Sequence, residues 1–191
     1  MKRVLLTLAG IAVVAVSAAA GYYLYRNGSP GSHGDATAAV PSAAPATRAS
    51  HVVGKARPEF SLPDLSGRRH SIDEWDGRVI ALNFWATWCP PCLKEIPQLI
   101  SLQSEYGDRG LQIIGIALQK PAAVADFARK HGINYPVLAG EAAVVRVAED
   151  YGNTIGALPN TVVIDRQGRI AYARPGPVTV EKMQKIIRPL L

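Results

Sequence analysis

The sequence predicts an α/β domain in which a central mixed β-sheet is flanked by helices, extended at its N-terminus by a β-hairpin and preceded by a transmembrane helix. Three observations predict it. Val79-Ile80-Ala81-Leu82-Asn83-Phe84-Trp85 is a nearly continuous apolar run, as expected of a strand buried on both faces. Strand-like runs alternate with helical periodicity through the first half, and a hairpin signal followed by a helix closes the chain. The 22 residues from Val4 to Tyr25 carry no charge, at about the ~20 residues needed to cross a bilayer.

In order along the chain, residues 1–26 read as an N-terminal transmembrane anchor. The apolar run exceeds the ~7–15 residues usual in a cleavable signal peptide. Tyr22, Tyr23 and Tyr25 cluster at its far end, where aromatic rings favour the membrane–water interface. A cleaved signal peptide is the alternative, because Ser17-Ala18-Ala19-Ala20 offers small residues. Either way, Lys2 and Arg3 keep the N-terminus in the cytoplasm and the remainder is exported. Residues 27–56, rich in Gly, Ser, Pro, Ala and Thr, read as a flexible tether with a reach of roughly 30 Å.

The globular domain is expected over residues 57–191. Phe60–Leu62 and Arg68–Ser71, joined by a turn at Asp64-Leu65-Ser66-Gly67, read as a hairpin. Ile72–Trp75 suits one helical turn, and Val79–Trp85 follows as the first core strand. Ile96, Leu99, Ile100 and Leu102 recur at helical spacing up to Tyr106-Gly107. Leu111–Leu118 is a second buried strand, Ala122–His131 a helix, and Tyr135–Leu138 a short extended piece. Glu141–Tyr151 is another helix, closed by Gly152. Thr161–Asp165 and Arg169–Ala173 flank Arg166-Gln167-Gly168 as a hairpin, and Thr179 opens a final helix that Pro189 frays.

The net charge of +6 is unevenly spread. Residues 1–56 hold five Lys/Arg against one acid, whereas residues 57–191 hold 16 against 14. The basic excess therefore sits mostly in the anchor and tether. The later basic residues are scattered, which argues against nucleic acid as a partner.

Chemistry concentrates at Trp88-Cys89-Pro90-Pro91-Cys92, which holds the only two cysteines of the chain. Two thiols at this spacing close a small ring and reopen it, as thiol–disulfide exchange requires. The pair lies between the first core strand and a helix, a placement that makes the βαβ–ββα order a thioredoxin-like architecture. At a helix N-terminus, free N–H groups and the helix dipole favour a thiolate, so Cys89 is expected to titrate below the ~8.5 of free cysteine. Pro90 and Pro91 suit the first turn, and the amides of Cys92 and Leu93 remain to solvate the sulfur. Cys89, at an exposed tip, is expected to attack the client disulfide. Cys92, one turn inward, resolves the mixed disulfide.

A purely structural disulfide over so short a loop would constrain the unfolded chain very little. Zinc would want four ligands, and His33, His51, His70 and His131 show no paired spacing. Covalent haem attachment needs His after the second cysteine, and position 93 is Leu. No cofactor is expected beyond the redox-active Cys89–Cys92 disulfide.

Phe60-Ser61-Leu62-Pro63-Asp64-Leu65-Ser66-Gly67, Leu82-Asn83-Phe84-Trp85-Ala86-Thr87-Trp88-Cys89-Pro90-Pro91-Cys92 and Glu95-Ile96-Pro97 resemble the TlpA/ResA type of membrane-anchored thioredoxin-like protein. The resemblance covers about residues 57–191, and the anchor fits the same group. It implies that Leu158-Pro159-Asn160-Thr161 is a cis-proline loop facing the cysteines, with the Leu158 backbone pairing with an extended client; an ordinary trans proline is the alternative. It implies that Glu95 is a carboxylate near Cys92 that moves protons and tunes the thiols, against the alternative of a solvated helix-surface glutamate. Pro97 would kink the helix and bend Glu95 toward the site. Asn83 stands where thioredoxin has a buried aspartate, and an amide cannot take that proton. Trp85 and Trp88 are expected to pack and shield, with the Trp88 ring shaping the client-facing surface.

The same resemblance implies an inner-membrane, single-pass protein whose catalytic domain faces the periplasm. It would reduce protein disulfides, including apocytochrome c cysteines or the cysteines of a copper site, with electrons from a membrane donor of thiol reductants. Three alternatives remain open. A disulfide-forming oxidase has the same fold. A thiol peroxidase would commonly place Thr three residues before its cysteine, whereas Thr87 is two before Cys89. A copper-delivery protein would space its cysteines one residue wider and add a histidine.

Overall fold

The computed structural model describes residues 51–191. The anticipated anchor and most of the tether lie outside the described residues. Among the described residues, no helix is long and apolar enough to cross a membrane.

The central strand β3, Val79–Trp85, is buried at all seven positions. It pairs in parallel with β4, Leu111–Leu118, and antiparallel with β6, Asn160–Ile164. Strand β5, Val137–Gly140, extends the sheet beyond β4, and β7, Ile170–Pro175, extends it beyond β6. The order is β5-β4-β3-β6-β7, a mixed sheet. Antiparallel strands β1, Ser61–Pro63, and β2, Arg69–Ser71, form a separate hairpin.

Period-two alternation divides the apolar residues of β3 between two cores. Val79, Ala81 and Trp85 face helices α1, Pro90–Tyr106, and α4, Val180–Ile187, which bury Ile96, Leu99, Leu102, Met183 and Ile187 there. Val124, from helix α2, Pro121–Lys130, joins the same core. Ile80, Leu82 and Phe84 face the hairpin residues Phe60 and Leu62 and helix α3, Ala142–Asp150. Asn83 falls on the α1 side of this alternation, opposite Gly115 of β4 and Thr161 of β6.

Two boundaries differ from the sequence expectation. Ordered contacts already run through Val52 to Ala56, inside the segment expected to be tether up to Ala56. Val52 is buried, the Gly54 amide donates to the Ile170 carbonyl at 2.7 Å, and Ala56 bridges Arg169. The small-residue composition does not reveal this, because the contacts are backbone hydrogen bonds to a hairpin more than a hundred positions away. The extended piece expected at Tyr135–Leu138 becomes a strand at Val137–Gly140. Proline has no N–H for the ladder. Pro136 contributes only its carbonyl, to the Gly115 amide at 2.9 Å.

The connection from α3 to β6 carries Leu158 and Pro159, and a single side chain shapes it. Asn153, buried, accepts from the Ala157 amide at 3.0 Å and donates to the Ala157 carbonyl at 2.8 Å. The segment before the proline is thus closed on itself. Replacing Asn153 by Ala leaves the Ala157 groups without this partner, and destabilisation of about 1–3 kcal/mol is expected. Urea unfolding of the reduced and oxidised protein measures it; a loss below a few tenths of a kcal/mol would show that the loop holds its shape without Asn153.

Candidate functional site

Cys89 ends the connection from β3 as the extended N-cap of α1, and Pro90 and Pro91 occupy the first turn. The proline rings preset the helical φ there and sacrifice no intrahelical donor. The Cys89–Cys92 disulfide is formed, with a Cα–Cα separation of 5.3 Å. Cys89 is less open than the exposed tip expected: 4% accessible, against 1% for Cys92. In the oxidised ring both side chains belong to the apolar cluster on the α1 side of the sheet. The Leu93 amide, expected to be available to the sulfur, instead donates to the Cys89 carbonyl at 3.2 Å and closes the first helical turn.

Trp88 stands 63% exposed next to Cys89, whereas Trp85 is buried. The loop between them is held by Gln119, whose side-chain carbonyl accepts from the Thr87 amide at 2.7 Å and from the Thr87 hydroxyl at 2.9 Å. Sequence reasoning missed Gln119, since nothing local links it to the motif. The Leu158–Pro159 peptide is cis. Pro159 is buried, and Leu158 packs against the cluster that contains both cysteines.

Glu95 is 3% exposed, which excludes the helix-surface alternative. It lies three positions after Cys92, on the neighbouring helical ridge. Its Oε2 accepts from Asn83 Nδ2 at 3.1 Å, and its Oε1 accepts from the Val178 backbone amide at 2.9 Å. Asn83 Nδ2 also lies 3.4 Å from Thr161 Oγ1. Helix α1 continues through Pro97 to Tyr106. Burial raises the Glu95 carboxyl above its ordinary range, and the hydrogen bonds from Val178 and Asn83 oppose that rise. Tyr135, on the same side of the sheet, has its hydroxyl pushed up by burial and, secondarily, by the Glu95 charge. The partners of Glu95 come from β3 and from the segment before α4, so no local pattern announces them.

A cavity of about 600 Å³ lies between the β1–β2 turn and α2 and is lined by neither cysteine. A smaller apolar recess of about 40 Å³ adjoins Leu158, Phe84 and Val145. No cluster of His, Cys, Asp and Glu suited to a metal occurs among the described residues.

A dithiol that closes at a helix N-terminus, with a cis-proline loop packed on the same core, is the working part of a thioredoxin-fold thiol–disulfide oxidoreductase. That is the class this architecture defines. Comparison with known proteins narrows it. Residues 53–173 match the AhpC/TSA family. The thiol–disulfide oxidoreductase ResA of Geobacillus thermodenitrificans is 34% identical over 134 residues, covering 70% of this chain and 75% of the relative. A thiol:disulfide interchange protein of Chlorobium tepidum, of known crystal structure, is 30% identical with a TM-score of 0.64, covering 71% of this chain and 94% of that one. A secreted thiol-disulfide isomerase of Corynebacterium glutamicum is 26% identical with a TM-score of 0.63, covering 70% and 83%. The chain belongs to the AhpC/TSA redoxin family, as a thiol–disulfide oxidoreductase of the ResA type.

Because the folded-state Glu95 carboxyl is raised, the protein binds that proton more tightly folded than unfolded. The stability this contributes is present below the ordinary glutamate range and is lost as pH rises through the raised folded value. The oxidised wild type should therefore lose stability relative to Glu95→Gln as pH rises from about 4 toward neutrality. Parallel urea titrations of the two proteins check this; a gap that is flat or moves the other way would mean Glu95 is ionised in the folded protein without penalty.

Proposed function

We propose that this protein is a membrane-tethered, extracytoplasmic reductase of protein disulfides. The observation that carries the reading is a buried carboxylate, Glu95, one helical turn from the inner cysteine of a disulfide at a helix N-terminus. Cys89 acts as the nucleophile: its thiolate attacks a client disulfide, forms a mixed disulfide and displaces one client thiolate. Glu95 then takes the Cys92 proton, the Cys92 thiolate attacks Cys89 Sγ, and the second client cysteine leaves. Two electrons pass from the protein dithiol to the client. A base dedicated to Cys92 suits a protein whose task is to release its client reduced.

Trp88, Leu158 and Pro159 form the client surface in this reading. The exposed Trp88 ring borders Cys89, and the Leu158 backbone, at the edge preceding β6, pairs with an extended client strand. Residues 1–26 anchor the protein in the inner membrane, the intervening segment tethers it, and the domain works on the periplasmic side. Electrons come from a membrane donor of thiol reductants, since no soluble reductant pool is expected there. Apocytochrome c cysteines and copper-site cysteines are the proposed clients.

Equilibration of the domain against a dithiol redox buffer tests the direction. A potential near the ~−270 mV of thioredoxin is expected; one near the ~−120 mV of strong oxidants would make the protein a disulfide-forming enzyme. Cys92→Ser should accumulate a mixed disulfide between Cys89 and its client, visible as a dithiothreitol-sensitive adduct on a non-reducing gel. Cys89→Ser should give none, and adducts formed equally by both variants would overturn the assigned order of attack.

A further inference from the structure

Asn83 is the one polar side chain on a strand otherwise buried among apolar residues. Its Nδ2 lies between Glu95 Oε2 at 3.1 Å and Thr161 Oγ1 at 3.4 Å. The other carboxylate oxygen is held by the Val178 amide, which is a backbone donor and cannot change role. Among the described residues no cation faces Glu95. Around it are Cys92 on its own helix, Asn83 on β3, the Val178 amide before α4, and Tyr135, whose ring approaches Gly115 directly opposite Asn83. Asn83 is thus the side chain that decides how this carboxylate is held.

A buried carboxylate that accepts a proton must exchange one hydrogen-bonding pattern for another. Ionised, it needs donors; protonated, it must itself donate. A primary amide carries both a donor and an acceptor at its end, and rotation about its last bond swaps them. A hydroxyl partner such as Thr161 adapts by rotating its hydrogen. A carboxylate at position 83 would put two negative charges about 3 Å apart, and an aliphatic side chain would offer neither donor nor acceptor.

We propose that Asn83 is a positioning residue for the exchange reaction: its amide holds the ionised Glu95 ready for the Cys92 proton, and turns over to accept from the acid once the proton has arrived. The inference rests on the reading of Glu95 as the Cys92 base. In the step concerned, Cys92 Sγ–H gives its proton to Glu95, and the freed electron pair forms the bond to Cys89 Sγ. The departing client sulfur keeps the pair of the broken mixed disulfide.

The test uses the full-length reduced protein mixed rapidly with dithiobis(nitrobenzoic acid). The first thionitrobenzoate released reports attack by Cys89, and the second reports resolution by Cys92. The pH midpoint of the second release is the readout. Asn83→Leu removes the donor while keeping the branched shape of the side chain, and the midpoint should rise by about one pH unit, a tenfold change in proton affinity. Asn83→Asp, nearly isosteric, should raise it further and carries the test if the leucine variant does not fold. In a Glu95→Gln background the Asn83 effect should vanish, which a general packing defect would not do.

An unchanged midpoint in Asn83→Leu or Asn83→Asp would overturn the proposal. So would a shift that persists undiminished with Glu95→Gln. If Glu95→Gln alone leaves the wild-type midpoint in place, the reading of Glu95 as base falls, and the role of Asn83 falls with it. If Glu95→Gln moves the midpoint but neither Asn83 variant does, only the role of Asn83 falls.

Discussion

Because Val79–Trp85 is buried along its whole length, with helices over one face and the hairpin and α3 over the other, its direction and register constrain every neighbour. The strand must end where the sheet ends, and the chain leaves it at Ala86 to deliver Cys89 to the start of α1. Its antiparallel partner β6 is preceded immediately by the cis-proline, so the register Phe84↔Asn160 also brings Leu158 and Pro159 to the same end of the sheet. Pairing β3 with β6 thus assembles the two halves of the site. A one-residue slip would turn Asn83 away from Glu95 and bury it against the leucines of the opposite core.

Glu95 is the polar exception that this packing tolerates. Moving a carboxylate out of water is costly unless hydrogen bonds replace its hydration. Two do so here, from Asn83 and from the Val178 amide, and they come from elements that the sheet and α1 hold in place. Desolvation still dominates, so the carboxyl is left more basic than an exposed glutamate. This is the condition a proton acceptor for a thiol needs, since an ordinary glutamate is far too weak a base. In the proposed mechanism, burial, which makes Glu95 expensive for stability, is also what suits it to take the Cys92 proton.

Client contact is organised differently. A cavity of about 600 Å³ is lined by neither cysteine, whereas the exposed Trp88 adjoins Cys89 and a small apolar recess lies beside Leu158. Such a surface suits a flexible polypeptide laid across it better than a small molecule enclosed by it. Gln119 on one side and Asn153 on the other keep the two loops in shape, Gln119 by accepting from the Thr87 amide and hydroxyl and Asn153 through a pair of hydrogen bonds to the Ala157 backbone.

The sequence by itself determined the reactive pair, its place between a buried strand and a helix, and nearly every secondary element. These rest on local properties: apolar run length, period, and the behaviour of proline and glycine at ends. Position 95 was readable as a carboxylate of interest, either partly buried or on the helix surface, and the choice stayed open because Glu95 follows Cys92 on a helix whose periodicity alone does not say which side Val178 will close. The pairing of Asn83 with Thr161 spans 78 positions, that of Glu95 with Val178 83, and that of Thr87 with Gln119 32. Only the tertiary structure decided these, together with the backbone pairing of Gly54 and Ala56 to the distant hairpin. The physical reason is common to all of them: each is a hydrogen bond whose second partner is chosen by strand register and helix docking, and neither leaves a trace in the local pattern of the residues involved.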